Sequence, residues 1–174
     1  HASLAIYLEL ERMGFKVWYD NNADNLTEAG MKAGVEMSEV FVLFLNSYTL
    51  SRWFVQLEVC EALKCKKKVI LVYESDRKLA MVASSMDSSA KRLSLIDDVS
   101  GEFNFEVTLK EQAPKEGEEH SEVRYIYWEV HKGNINPIPF LRHSARTKTL
   151  EQISGSSKVP NPVSEEAALS VEPP

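Results

Sequence analysis

VFVLFLNSYTLSRWFVQLEVCEALKCKKKVILVY, residues 40–73, decides the fold. Its two ends, residues 40–45 and 69–73, are unbroken apolar runs set between polar residues, the pattern of strands buried on both faces. Between them, residues 51–66 repeat at helical spacing. At about 100° per residue, Phe54, Val55, Glu58, Val59, Ala62, Leu63 and Cys65 share one half of the helical wheel. A strand, a helix and a strand joined by short connections predict parallel pairing with a crossover helix.

Glu58 is the only charged residue in that apolar half. Burying an unpaired carboxylate costs several kcal/mol in effective terms, so Glu58 reaches solvent, pairs with a cation, or lines a cleft that uses its charge. Other polar groups follow the carboxyl ends of the predicted strands, where open α/β sheets bind ligands. Asp20 follows a predicted strand at 15–19, Asn46 and Ser47 follow 40–45, and Glu74 and Asp76 follow 69–73. Trp53 opens the helix that carries Glu58. Asp20, Glu74 and Asp76, taken singly, also fit loop or capping roles.

Outward from this core, residues 2–13 carry one broad apolar stripe through Leu4, Leu8 and Ile6, Leu10, Met13, with Gly14 as a C-cap. Residues 21–25 read as a polar loop. Thr27 is placed to cap a helix reaching Ser38, in which Gly30 and Gly34 serve close packing. Beyond Asp76 the patterning weakens across 77–137. A short helix is expected around 91–96, a strand at 103–109, an acidic loop at 114–122, an aromatic-rich stretch at 124–130 and a last strand at 138–141. The expected organisation is one domain over residues 1–153, followed by a disordered Pro/Ser/Glu-rich tail over 154–174. The fold class is α/β: a flavodoxin-like three-layer fold with a mostly parallel sheet flanked by helices.

With 174 residues and 44% hydrophobic content, the chain supports one real core. A net charge of −6 argues against a nucleic-acid surface, and the run Lys66, Lys67, Lys68 complements the dipole at a helix end. No apolar run is long enough to span a bilayer and no signal-peptide pattern opens the chain, so a cytoplasmic protein without a membrane partner is expected. The chain begins with His rather than Met and reads as a fragment. Cys60 and Cys65 lie about 140° apart on one helix, a poor disulfide geometry, so both are expected reduced. His1, His120, His131 and His143 stand outside any HxxxH or CxxC arrangement, and no metal site is expected. No phosphate-cradling glycine loop occurs, and Ser84, Ser85, Ser88 and Ser89 lack the frame of a nucleophile elbow.

In order and wording these pieces resemble the Toll/interleukin-1 receptor (TIR) domain family. GFKVWYD at 14–20 looks like its second strand, and NNADNLTEAGM at 21–31 occupies the place of its BB loop. GVEMSEVFVLFLN at 34–46 looks like the following helix and third strand. SRWFVQLEVCEALKCKKKVILVYESD at 51–76 resembles the third helix and fourth strand, and IPFLRH at 138–143 is similar to the last strand. The family opens with a further strand at the sheet centre, so the resemblance implies a domain truncated at its N-terminus.

In the enzymatic branch of this family, a third-helix glutamate cleaves nicotinamide from NAD+. LEVCEAL aligns that role with Glu58. The resemblance thus implies an NAD+ nucleosidase in a signalling or defence pathway, with NAD+ as substrate and no resident cofactor. It implies self-association and contact with other TIR domains through the 21–31 loop. Trp53 is the implied stacking residue, although it stands five residues before Glu58 where many members have four; Asp20 and Asn46 are the expected substrate-binding neighbours. The alternative is a non-enzymatic TIR module acting by protein–protein interaction. Receiver-like and flavodoxin-like activities lack, respectively, paired acids on a first strand and a phosphate loop.

Overall fold

The computed structural model describes residues 2–19, 27–76, 80–83, 92–97, 99–140, 150–153 and 155. Helix α1 (Ala2–Arg12) and helix α2 (Glu28–Met37) precede strand β1 (Val40–Leu45), helix α3 (Trp53–Lys64) and strand β2 (Lys68–Glu74). Then come strands β3 (Met81–Ala83) and β4 (Arg92–Ser94), helix α4 (Phe105–Glu111), a 3₁₀ turn (Ser121–Arg124), helix α5 (Tyr125–His131) and strand β5 (Ile138–Phe140).

The main sheet has the order β1-β2-β5, and both pairings are parallel. β1 and β2 run in register from Val40↔Lys68 to Leu45↔Tyr73, as the two apolar runs predict. Successive side chains of a strand point to opposite faces, and this divides the core in two. Leu43, Leu45, Leu71 and Tyr73 join Val59 of α3, Val107 of α4, and Ile126 and Val130 of α5 on one face. Ile70, Val72 and Phe140 join Ile6 and Leu10 of α1 and Leu150 and Ile153 on the other. This is the α/β flavodoxin-like arrangement, with helices on both sides of a parallel sheet. Pro139 sits on the edge strand β5, where a missing N–H is tolerated.

The helix ends follow the local chemistry of the sequence. Thr27 caps α2, its hydroxyl accepting from the Gly30 N–H at 3.2 Å. Gly14 follows α1 at φ 88, a left-handed position that glycine occupies at no steric cost. On α1, Ile6 and Leu10 are buried, whereas Leu8 of the same expected stripe is 54% exposed.

Three expectations are corrected. Residues 15–19 form no ladder; Phe15 and Val17 pack into the α1-side cluster, while the Trp18 indole lies against Gly34 of α2. Their alternation therefore reports burial on two sides, which an extended segment achieves without strand pairing. The helix expected around 91–96 is instead β4, paired antiparallel to β3. The strand expected at 103–109 is instead α4, whose start is set by Asn104 accepting from the Val107 N–H at 3.2 Å. The predicted tail lies outside the described residues apart from Gly155. Among the described residues no helix is long and apolar enough to cross a membrane.

Candidate functional site

β1 delivers the chain to a turn at its carboxyl end, and hydrogen bonds fix that turn. The Asn46 side-chain oxygen accepts from the Tyr48 N–H at 2.9 Å and from the Thr49 hydroxyl at 3.0 Å, while the Asn46 N–H donates to Thr49 Oγ1 at 2.9 Å. The buried Leu50 N–H donates to Gln112 Oε1 at 3.1 Å, and Gln56 Nε2 donates to the Leu50 carbonyl at 2.5 Å. Asn46, expected to bind substrate, thus shapes the entry into α3 with its carbonyl oxygen.

Along α3, Leu57, Val59 and Ala62 are buried against the sheet and its neighbours. Glu58 is half-buried in the second turn. Trp53 is 40% exposed in the first turn, with ring centroids 5.2 Å from Phe54 and 5.7 Å from His120. Five residues separate Trp53 from Glu58, about 140° around the helix axis, so the two project from different sides of α3. Asp20 lies outside the described residues, as do residues 21–26 of the loop implied in assembly.

The acid most deeply set in α3 is Glu61, which is 4% exposed. Burial alone would raise its pKa. Hydrogen bonds from Lys64 Nζ at 3.2 Å and Cys65 Sγ at 3.4 Å, with the charges of Lys64 and Lys32, outweigh burial and hold it below the ordinary carboxylate value. Glu61 falls just outside the apolar half of the wheel yet is buried, and α3 packs there against α2, whose Lys32 acts on its charge; the wheel carries no information about that neighbour. At the end of β2, Glu74 is also buried, and its carboxylate accepts from the Asp76 N–H at 3.1 Å, a loop-shaping contact.

A second group converges from distant parts of the sequence. Cys60 of α3, His120 and Glu122 bring their sulfur, ring nitrogen and carboxylate oxygen within 4.8 Å of one another. His120 stands just before the 3₁₀ turn in left-handed conformation, at φ 62. Burial, then the hydrogen bond to Glu122 and that residue's negative charge, push the Cys60 thiol up to about 12. Glu122 is held low, first by a backbone hydrogen bond and then by the Cys60 thiol. Motif spacing does not reveal this group, because about sixty residues separate Cys60 from its two partners. Cys60 and Cys65 are both free thiols, as expected.

A small apolar pocket of about 20 Å³ on the sheet's α3 side is lined by Leu45, Leu71, Phe103, Val123 and Ile126. That volume is about the space of a single water, and its walls offer that water no polar partners beyond Thr108 and Tyr127.

No protein-family model matches the chain, and no curated protein is significantly similar to it.

Proposed function

We propose that the chain is a TIR-type domain that cleaves nicotinamide from NAD+ at Glu58 when copies of the domain assemble. The observation that supports this reading is the position of Glu58. It is half-buried on the helix entered from the carboxyl end of β1 in a parallel β1–α3–β2 unit, the end at which open α/β sheets take ligands.

Breaking the ribose–nicotinamide bond builds oxocarbenium character on the ribose carbon. Nicotinamide is cationic while attached and leaves neutral, so its departure requires no general acid. A carboxylate that holds the ribose hydroxyls and faces the developing positive charge is sufficient, and water then adds to the ribose carbon, releasing one proton to solvent, to give ADP-ribose. Glu58 has that role, and Trp53 offers an exposed aromatic face to a ring of the dinucleotide. The setting proposed is cytoplasmic, with self-association and other TIR domains as partners.

A second reading, a TIR module that docks without chemistry, draws support from the aromatic surface around the same junction. Tyr48 is 59% exposed, Phe54 55% and Trp53 40%, an apolar concentration suited to a protein interface. Measuring nicotinamide release by chromatography, with the domain fused to a scaffold that enforces assembly, separates the two. Release by the wild type and its loss in Glu58→Ala supports cleavage. No release under enforced assembly leaves the docking module.

A further inference from the structure

The group formed by Cys60, His120 and Glu122 is independent of Glu58 and of the NAD+ reading. Three kinds of donor meet there, from two elements: a thiol on the rigid α3, and an imidazole and a carboxylate on the turn leading into α5. His120 is only 13% exposed in its side chain, yet its Nε2 is buried without a hydrogen-bond partner. The Glu119 carboxylate, 3.7 Å away, is too distant to bond it. The imidazole thus keeps a buried nitrogen unbonded in a ring that stands within 4.8 Å, by one of its nitrogens, of a thiol and a carboxylate.

Two chemistries use such a trio. In a thiol nucleophile, the imidazole takes the thiol proton; here the thiol instead donates to Glu122, whose negative charge opposes a free thiolate. The other is coordination. Sulfur and nitrogen donors disfavour Mg²⁺ and Ca²⁺, which take oxygen ligands, and suit a borderline ion such as Zn²⁺. Tetrahedral Zn²⁺ places its ligand atoms roughly 3.3–3.8 Å apart, so the donors must draw together by about 1 Å. Glu122 is exposed, so its side chain has room to adjust.

We propose that Cys60, His120 and Glu122 form a binding site for a divalent transition-metal ion of the Zn²⁺ class, with water in the fourth position. The ion takes the Cys60 sulfur as thiolate, its proton passing to solvent, and ties α3 to the turn that leads into α5. Metal binding to the native state alone stabilises the fold in proportion to the logarithm of ion concentration.

The test uses the full chain, reduced and stripped with a chelator, titrated with Zn²⁺ against a chromophoric competitor and separately with Co²⁺. One equivalent should bind saturably, Co²⁺ should show sulfur-to-metal charge-transfer absorption, and its binding should quench the fluorescence of Trp53, whose ring lies 5.7 Å from His120. Cys60→Ser and His120→Gln should each weaken Zn²⁺ binding by at least about 100-fold, whereas Cys65→Ser keeps both affinity and absorption band. Circular dichroism checks the fold of each variant, and if Cys60→Ser fails to fold, His120→Gln and Glu122→Gln carry the comparison. Absence of saturable binding, an undiminished affinity in His120→Gln, or loss of the band in Cys65→Ser rather than Cys60→Ser overturns the site.

Discussion

Residues 40–74 and residues 80–131 are held in different ways. The first region is a backbone construction: six residue pairs of β1 and β2 are matched in one parallel ladder, with α3 as the crossover between them. The second is a side-chain construction. Among the described residues its two strands pair only with each other, and it meets the rest of the molecule through Leu95, Ile96, Val107, Val123, Ile126 and Val130, all in the cluster that contains Leu43, Leu45 and Leu71. Polar links from Leu50 N–H to Gln112 and from the Cys60 thiol to Glu122 reinforce that seam. A region whose own ladder joins only three residue pairs takes most of its stability from the apolar surface it shares, so the two should unfold together.

The most severe way to break this comparison is to open a cavity on either side of the seam. Leu71 is 1% exposed and Leu95 is fully buried, so Leu71→Ala and Leu95→Ala should each cost about 2–5 kcal/mol. Denaturant unfolding followed by circular dichroism and by tryptophan fluorescence should show one transition, lowered in both variants. Two transitions, with only one moved by Leu95→Ala, would mean that the second region is a separate unit. A smaller effect is expected where Trp18 crosses α2. A Cβ at Gly34 would stand 2.3 Å from the Trp18 ring, so Gly34→Val should destabilise by about 1–3 kcal/mol through overpacking. Combining it with Trp18→Ala should recover part of that loss.

The same contrast explains what was legible in the sequence. β1 and β2 announce themselves as unbroken apolar runs and α3 is long enough to carry its own periodicity, and their boundaries follow within a residue or two. β3, β4, α4 and α5 have seven residues or fewer, too few for a period to establish itself, and tertiary packing chooses their conformation. At α4 the deciding signal is one residue: Asn104, followed by Glu106 in the first turn, marks a helix start that the alternation of Phe103, Phe105 and Val107 conceals. The carboxylate at Glu58 stood out from the wheel. Glu61 and the Cys60–His120–Glu122 group did not, because their neighbours come from other elements.

Caps sharpen the comparison at the scale of about 1 kcal/mol. Asn104→Ala should cost that amount and Thr27→Ala a similar one, measured as shifts in the denaturation midpoint. If Asn104→Ala has no effect, α4 is held by packing alone. The smallest effect concerns Glu61. Its folded-state pKa lies below the ordinary value of 4.5, so its contribution is present above that value and is lost as pH falls through the lower folded value. Stability measured from about pH 6 down to about pH 3 should decline less steeply in Glu61→Gln than in the wild type.

Glu58 and Glu61 stand three residues apart on α3, one proposed to work on a substrate and the other bonded to Lys64 and Cys65. Nicotinamide release under enforced assembly, compared across wild type, Glu58→Gln and Glu61→Gln, therefore tests the functional reading most directly. The account predicts release by the wild type and by Glu61→Gln, and none above background by a folded Glu58→Gln. Equal release by Glu58→Gln and the wild type would contradict it.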